Sequence, residues 1–73
     1  MLTKFGTIMR KIRVQHSDRI LDMAEKTGEA CADISTIEHG EKPIPAKFID
    51  TLIKAYGLTA IQIEELKEAA RSQ

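Results

Sequence analysis

Residues 28–42 read GEACADISTIEHGEK, and this stretch decides the fold. Ile34 and Ile37 are three positions apart, a spacing that puts two side chains on the same face of an α-helix. A glycine stands near each end of the segment, and glycine adopts the positive φ that ends a helix at little cost. The stretch therefore predicts a short helix over about residues 31–39, anchored by its isoleucines and bounded by Gly28 and Gly40.

The rest of the chain has the same helical periodicity, and no part of it alternates between apolar and polar residues as a strand does. We expect a first helix over about residues 3–15 and a second that ends at about Thr27, with Ser17 or Asp18 as its N-cap. Two more helices should lie within about residues 45–71. The sequence thus predicts an all-α fold of five helices that form one domain over the whole chain.

Local patterns indicate how the later helices begin. Pro45 suits the first position of the fourth helix, and Thr59 followed by Gln62 is the capping-box pattern that starts the fifth. In the second helix, Asp22 and Lys26 have the spacing of an i,i+4 ion pair. The expected core positions are Leu2, Phe5, Ile8, Met9, Ile12, Ile20, Met23, Ala24, Ile34, Ile37, Phe48, Ile49, Leu52, Ile53, Tyr56, Ile63, Leu66 and Ala70.

Length and composition exclude several classes of protein. Seventy-three residues form one small domain, and no apolar run is long enough to cross a membrane. A single cysteine, Cys31, cannot form an internal disulfide, and no Cys/His spacing is typical of a zinc site. Lys4 and Phe5 follow the initial methionine so closely that we expect no cleaved leader. These features favour a cytoplasmic protein without a metal or cofactor. Because no nucleophile, base or phosphate loop is recognisable, we do not expect an enzyme.

The zero net charge of the chain conceals an uneven distribution. Residues 1–26 carry six cationic and three anionic side chains, a net charge of +3, whereas residues 27–73 carry five and eight, a net charge of −3. The amino-terminal part can approach phosphate, and the rest is repelled by it. Residues 29–41 hold four carboxylates and no Lys or Arg. An ordinary solvated surface with uneven charge is the alternative interpretation of this pattern.

Four short motifs, in order along the chain, resemble a known family. They are Phe5-Gly6, Met9-Arg10-Lys11-Ile12-Arg13, Asp22-Met23-Ala24-Glu25-Lys26-Thr27-Gly28 and Ile34-Ser35-Thr36-Ile37-Glu38-His39-Gly40, followed by a proline-containing loop before Phe48. The pattern resembles the Cro/C1-type helix-turn-helix family of phage and bacterial transcriptional regulators, also called the xenobiotic-response-element (XRE) type. That resemblance implies a five-helix lambda-repressor-like fold, a helix-turn-helix over about residues 19–39, and operator DNA binding as a homodimer, usually in repression.

The resemblance also implies roles for individual residues. Cys31, Ala32 and Thr36 match the base-reading positions, and Arg13 and Glu38 match a buried ion pair of the family. The chain departs from the family pattern at two positions. Ile20 stands where a glutamine commonly contacts phosphate, and Ala30 stands where Ser or Thr usually caps the third helix. None of the three base-reading side chains can make a bidentate contact with guanine or adenine.

Cations for the DNA backbone must come from outside the acidic segment. The candidates are Arg10, Lys11, Arg19, Lys42 and Lys47. We expect two-fold association through the last helix and the loops near it, to match a palindromic operator. The alternative function is a protein-interaction module on the same fold, antitoxin-like or anti-repressor, whose acidic third-helix segment binds a basic protein partner. A positive surface around the third helix would favour DNA, and a negative one a protein.

Overall fold

The computed structural model describes residues 2–72, which form five α-helices and no strand. The helices are α1 (Lys4–Gln15), α2 (Ile20–Thr27), α3 (Cys31–Glu38), α4 (Ala46–Tyr56) and α5 (Ala60–Arg71). Helix α1 packs against α3 and α5, α2 packs against α3 and α4, and α4 packs against α5. The predicted all-α fold class and number of helices are confirmed.

The start of α2 differs from the prediction. Arg19, and neither Ser17 nor Asp18, occupies the N-cap position. The Asp22 carboxylate accepts a hydrogen bond from the Arg19 backbone N–H at 2.8 Å, which satisfies one donor just outside the helix. Ser17 instead has a φ of +54° in the turn. The Asp18 carboxylate is bound by Lys26 and Tyr56.

The other helix ends follow the predicted local patterns, except that α4 begins one residue later than predicted. Gly28 ends α2 at a φ of +76°. At α5 the capping box is present, because Thr59 Oγ1 accepts from the Gln62 N–H at 3.2 Å and the Gln62 side chain accepts from the Thr59 N–H at 2.9 Å. Pro45 is the N-cap of α4 and not its first residue, so that helix begins at Ala46.

All five helices contribute to one apolar core. Its buried residues are Phe5, Met9, Ile12, Met23, Ala24, Ile34, Ile37, Phe48, Leu52, Tyr56, Leu58, Leu66 and Ala69. The expected core positions Ile8, Ile20, Ile49, Ile53, Ile63 and Ala70 are partly buried at its edge. On α5, Leu66 is fully buried as predicted, and Ala69 is also buried although it was not predicted. Leu58, in the turn before α5, also belongs to the core and was not predicted.

Asp18 joins the turn between α1 and α2 to the end of α4. Its Oδ2 accepts a hydrogen bond from the Tyr56 hydroxyl at 2.8 Å and lies 2.6 Å from Lys26 Nζ. Lys26 Nζ is also 4.7 Å from the centroid of the Tyr56 ring. The predicted Asp22–Lys26 ion pair is therefore wrong, because Lys26 is bound to Asp18. Hydrogen bonds from Lys26 and Tyr56 hold the pKa of Asp18 below its ordinary value.

Candidate nucleic-acid interface

Helix α3 has one fully buried face and one outward face. Ile34 and Ile37 have no exposed surface, and they fix the helix against α1 and α2. Ala32 is exposed on the opposite side and Thr36 is half-buried beside it, whereas Cys31 is partly buried and packs against the edge of the core. The structure thus brings two of the sequence-predicted base-reading side chains, Ala32 and Thr36, together on the outward side of α3, and it does not bring Cys31 there. Both are small, so the helix backbone can approach a partner closely there.

The hydroxyl of Thr36 is already engaged within the helix. Thr36 Oγ1 donates a hydrogen bond to the Ala32 carbonyl at 2.6 Å. Its proton is therefore used, and the oxygen presents only acceptor capacity to the outside. In a DNA groove such an acceptor suits the amino group of cytosine or adenine.

Two of the four carboxylates in the acidic segment have cationic partners. The Glu38 side chain is almost completely buried, with Oε2 2.8 Å from Arg13 Nη1. The Asp33 carboxylate lies 3.4 Å from Lys42 Nζ. Glu29 is half-buried and Glu41 is exposed, and neither makes an ion pair within residues 2–72. The charge around α3 is mixed, neither positive nor negative throughout.

The Arg13–Glu38 pair that the family resemblance implied is present in the structure. Arg13 Nη1 also donates to Met23 Sδ at 3.3 Å, so the guanidinium is shared between a carboxylate and a thioether. Among residues 2–72, Glu38 Oε2 has no well-aligned hydrogen bond. The contact is therefore mainly ionic. Its carboxylate points into the protein and does not oppose an approaching phosphate.

The amino end of α3 has no side-chain cap. Ala30 is the N-cap residue, and its methyl side chain offers no acceptor, as expected for an alanine at this position. The N–H groups of the first turn therefore lie at the positive end of the helix dipole without a bound side chain. Asp33 lies in this first turn, and its contact with Lys42 moderates its negative charge.

The predicted phosphate-binding cations have different surroundings. Lys42 contacts Asp33 on α3, and exposed Arg19 lies 3.5 Å from Asp22. Within residues 2–72, the exposed side chains of Arg10, Lys11 and Lys47 make no ion pair.

Lys11 is directed away from the α3 side of α1. It lines a small cleft with Gln62 and Glu65 of α5. Gly6 and Arg13, which contact Glu38 of α3, lie roughly 150° away around the α1 helix. The structure consequently does not bring Lys11 to the outward side of α3, although the sequence prediction had grouped it with the other candidate cations for the DNA backbone.

The two ion pairs that constrain the candidate cations were missed by sequence reasoning. Asp22 stands three residues after Arg19, and this N-cap to N3 spacing could have indicated the contact. No spacing rule links Asp33 to Lys42, which is nine residues later and beyond the end of the helix. Only the path of the loop after α3 brings these two side chains together.

Two classes of site find no support in the part of the chain that the structure describes. No group of three or more His, Cys, Asp and Glu side chains could hold a metal ion there. The longest helices in this part have 12 residues, and none is long and apolar enough to cross a membrane.

No protein-family model matches the chain, and the comparisons found no matching curated protein and no matching solved structure.

Proposed function

We propose that this chain is a small cytoplasmic DNA-binding transcriptional regulator, a phage-, prophage- or plasmid-type repressor. In this proposal α2, the turn at Gly28 and α3 form a helix-turn-helix. Helix α3 enters the major groove of a palindromic operator, which a homodimer binds. The observation that carries the proposal is the outward side of α3, where Ala32 and Thr36 lie opposite two fully buried isoleucines.

The outward side of α3 suits a groove because of what its side chains are. Ala32 can pack on the methyl group of a thymine, and Thr36 can accept one hydrogen bond from a base. Two contacts of this kind provide little direct readout. Specificity must then depend in part on the shape and deformability of the operator.

Contacts with the DNA backbone supply most of the affinity in this proposal. Arg10 and Lys47 are exposed and have no ion-pair partner within residues 2–72. Lys42 and Arg19 can turn from their carboxylates towards phosphates, because both ion pairs are partly or largely exposed and such pairs are worth little. Binding should therefore be modest and should weaken steeply as salt is added.

A titration of fluorescently labelled duplex DNA at low and moderate salt tests the proposal. Replacing Ala32 with Glu places a carboxylate at the centre of the outward side of α3 and should reduce affinity by at least about tenfold. Ala55→Glu, an equal change at an exposed position on α4, is the matched control and should have little effect. Equal losses in the two variants would remove the outward side of α3 from the interface.

Thr36→Ala tests whether this residue reads sequence. Once an operator has been selected, the variant should lose more affinity for that operator than for random duplex. An equal loss on both would show that Thr36 is not a base-reading residue.

A protein-interaction module of the antitoxin-like or anti-repressor kind is the second candidate function. The observation that favours it is that Arg19 and Lys42 are already paired with Asp22 and Asp33, while Glu41 remains exposed. A basic protein surface could then bind the α3 segment. The same titration separates the two functions, since this module would show no DNA binding even at low salt.

A further inference from the structure

The outer face of α1 carries a groove, which we name the α1 groove. It has a volume of about 340 Å³ and is lined by Leu2, Thr7, Arg10, Lys11, Val14 and Gln15. Its surface is mostly apolar, and Val14, at 77% exposed, is the most exposed large hydrophobic side chain of residues 2–72. Covering apolar surface of this kind is favourable, so the groove suits an apolar side chain of a partner.

Hydrogen bonds to other helices hold both ends of the α1 groove. Thr3, next to Leu2, donates from its N–H and from its hydroxyl to the Glu38 carbonyl, both at 3.0 Å. At the other end, Gln15 Oε1 accepts a hydrogen bond from Gln62 Nε2 at 2.9 Å. The groove is thus formed before a partner arrives, which lowers the entropy that binding costs.

Four of the lining residues have the spacing that accepts a side chain of a second helix. At positions i, i+3, i+4 and i+7 of α1 stand Thr7, Arg10, Lys11 and Val14. Where two helices pack together, an apolar side chain of one inserts between four residues of the other at this spacing. All four side chains project from one helix, so a small molecule could be contacted from one side only. The α1 groove therefore suits a helix that runs along α1.

The sides of the α1 groove are basic. Arg10 and Lys11 are the middle pair of the four residues, and no carboxylate of residues 2–72 lines the groove. Both side chains are exposed, and neither makes an ion pair within residues 2–72. Lys11 also borders the cleft that contains Glu65, so we expect Arg10 to contribute more of the attraction. A partner that complements the groove brings carboxylates on both sides of its apolar side chain.

We propose that the α1 groove binds an acidic amphipathic helix of another protein, in the manner of a helix that lays its apolar face into a groove. The most acidic helix of this chain is α5, where Glu68 is paired with Arg71 and Glu65 lies in the cleft with Lys11. These carboxylates are already in use, so the partner is a different protein. The proposal is independent of DNA binding, because it rests on the outer face of α1 and its test contains no DNA.

Binding of a labelled synthetic peptide to the full chain, followed by fluorescence anisotropy, tests the proposal. The probe is a helix of about three heptads with leucine at the core positions and glutamate beside them, so that its own copies repel one another. A second peptide with lysine in place of each glutamate is the matched control. We expect the glutamate peptide to bind with a Kd on the order of 10⁻⁴ M, since the contact is small. The lysine peptide should bind at least about tenfold more weakly.

Variants on α1 show whether the groove is the binding site. Arg10→Glu should weaken binding of the glutamate peptide by at least about tenfold and strengthen binding of the lysine peptide, because the charges then match with reversed sign. Val14→Asn should weaken the glutamate peptide by about fivefold, since it removes apolar contact. The matched controls lie outside the groove: Lys54→Glu at an exposed position on α4, and Leu21→Asn at a leucine that is 48% exposed on α2. Neither should change the affinity.

Three results would overturn the proposal, provided that circular dichroism shows each variant to be folded. Equal affinity for the two peptides, or no binding of either, would overturn the acidic helix as the occupant. Binding that tolerates both Arg10→Glu and Val14→Asn would overturn the α1 groove as its site. Sedimentation equilibrium of the protein alone supplies the third. Self-association that Val14→Asn abolishes and Leu21→Asn preserves would assign the groove to a second copy and not to another protein.

Discussion

Gly6 lies directly against the backbone of Glu38. A Cβ atom added to Gly6 would lie 3.0 Å from the Glu38 Cα and overlap its carbonyl oxygen. That oxygen cannot easily move, because it accepts hydrogen bonds from the Thr3 N–H and the Thr3 hydroxyl, both at 3.0 Å. The first turn of α1 and the end of α3 are thus in contact with no space for a side chain.

Gly6→Ala should therefore destabilise the protein, by about 3 kcal/mol in the free energy of unfolding. The sign of this change is informative, because replacing glycine with alanine within a helix ordinarily stabilises the helix by about 1 kcal/mol. Urea denaturation measures the change. Thr7→Ala, at the exposed neighbouring position, should stay within about 0.5 kcal/mol of the parent, and a stabilised Gly6→Ala would contradict the close contact.

Removing one partner of the Arg13–Glu38 pair should cost more than removing both. Arg13→Met leaves the Glu38 carboxylate buried without its cation and should lower stability by about 3–5 kcal/mol. Arg13→Met combined with Glu38→Leu should recover much of this loss, because no buried charge remains. Arg10→Met, on the exposed side of α1, is the control. If the double variant were as unstable as the sum of the single variants, the two groups would not be coupled.

The Asp18 contacts should make stability depend on acid pH. Lys26 and Tyr56 lower the pKa of this carboxyl in the folded protein from its ordinary value of 3.8. The unfolded chain therefore binds the proton first, and stability is fully present above pH 3.8 and is lost as the pH falls through the folded pKa. The difference in unfolding midpoint between the parent and Asp18→Asn should be largest near neutrality and shrink in acid. A difference that does not change with pH would contradict these contacts.

Releasing Lys42 from Asp33 should strengthen DNA binding. Asp33→Asn removes a carboxylate from the first turn of α3 and frees a cation for phosphate. We expect the affinity for duplex DNA to rise about fivefold and the slope of log affinity against log salt to steepen by about 1. Asp50→Asn, at an exposed position on α4, removes the same charge elsewhere. If both variants gained equally, the effect would come from net charge and not from Lys42.

Helix positions were predictable from the sequence because their signals are local. The spacing of Ile34 and Ile37, the glycine at position 28 and the Thr59–Gln62 capping box each act within a few residues. The start of α2 was not predicted, because Asp18 is bound by Tyr56, which is 38 residues away in sequence. A residue bound by a distant partner cannot be recognised from its neighbours.

The candidate site was predictable only in part, for a similar reason. Helical periodicity is enough to place Ala32 and Thr36 opposite the buried isoleucines. The surroundings of the cations depend on how α1, α5 and the loop after α3 pack. Lys11 consequently lies beside α5, and Lys42 lies beside Asp33.

Selection from a random-sequence duplex library tests the central claim, that α3 binds DNA, most directly. The protein is mixed with the library at low and at moderate salt, retained complexes are separated by electrophoresis, and the retained DNA is sequenced. We expect retention that weakens with salt and enrichment of a palindromic sequence. Retention without enrichment would indicate a non-specific binder and contradict the proposal that the protein recognises an operator sequence. No retention even at low salt would contradict DNA binding altogether and favour a protein partner.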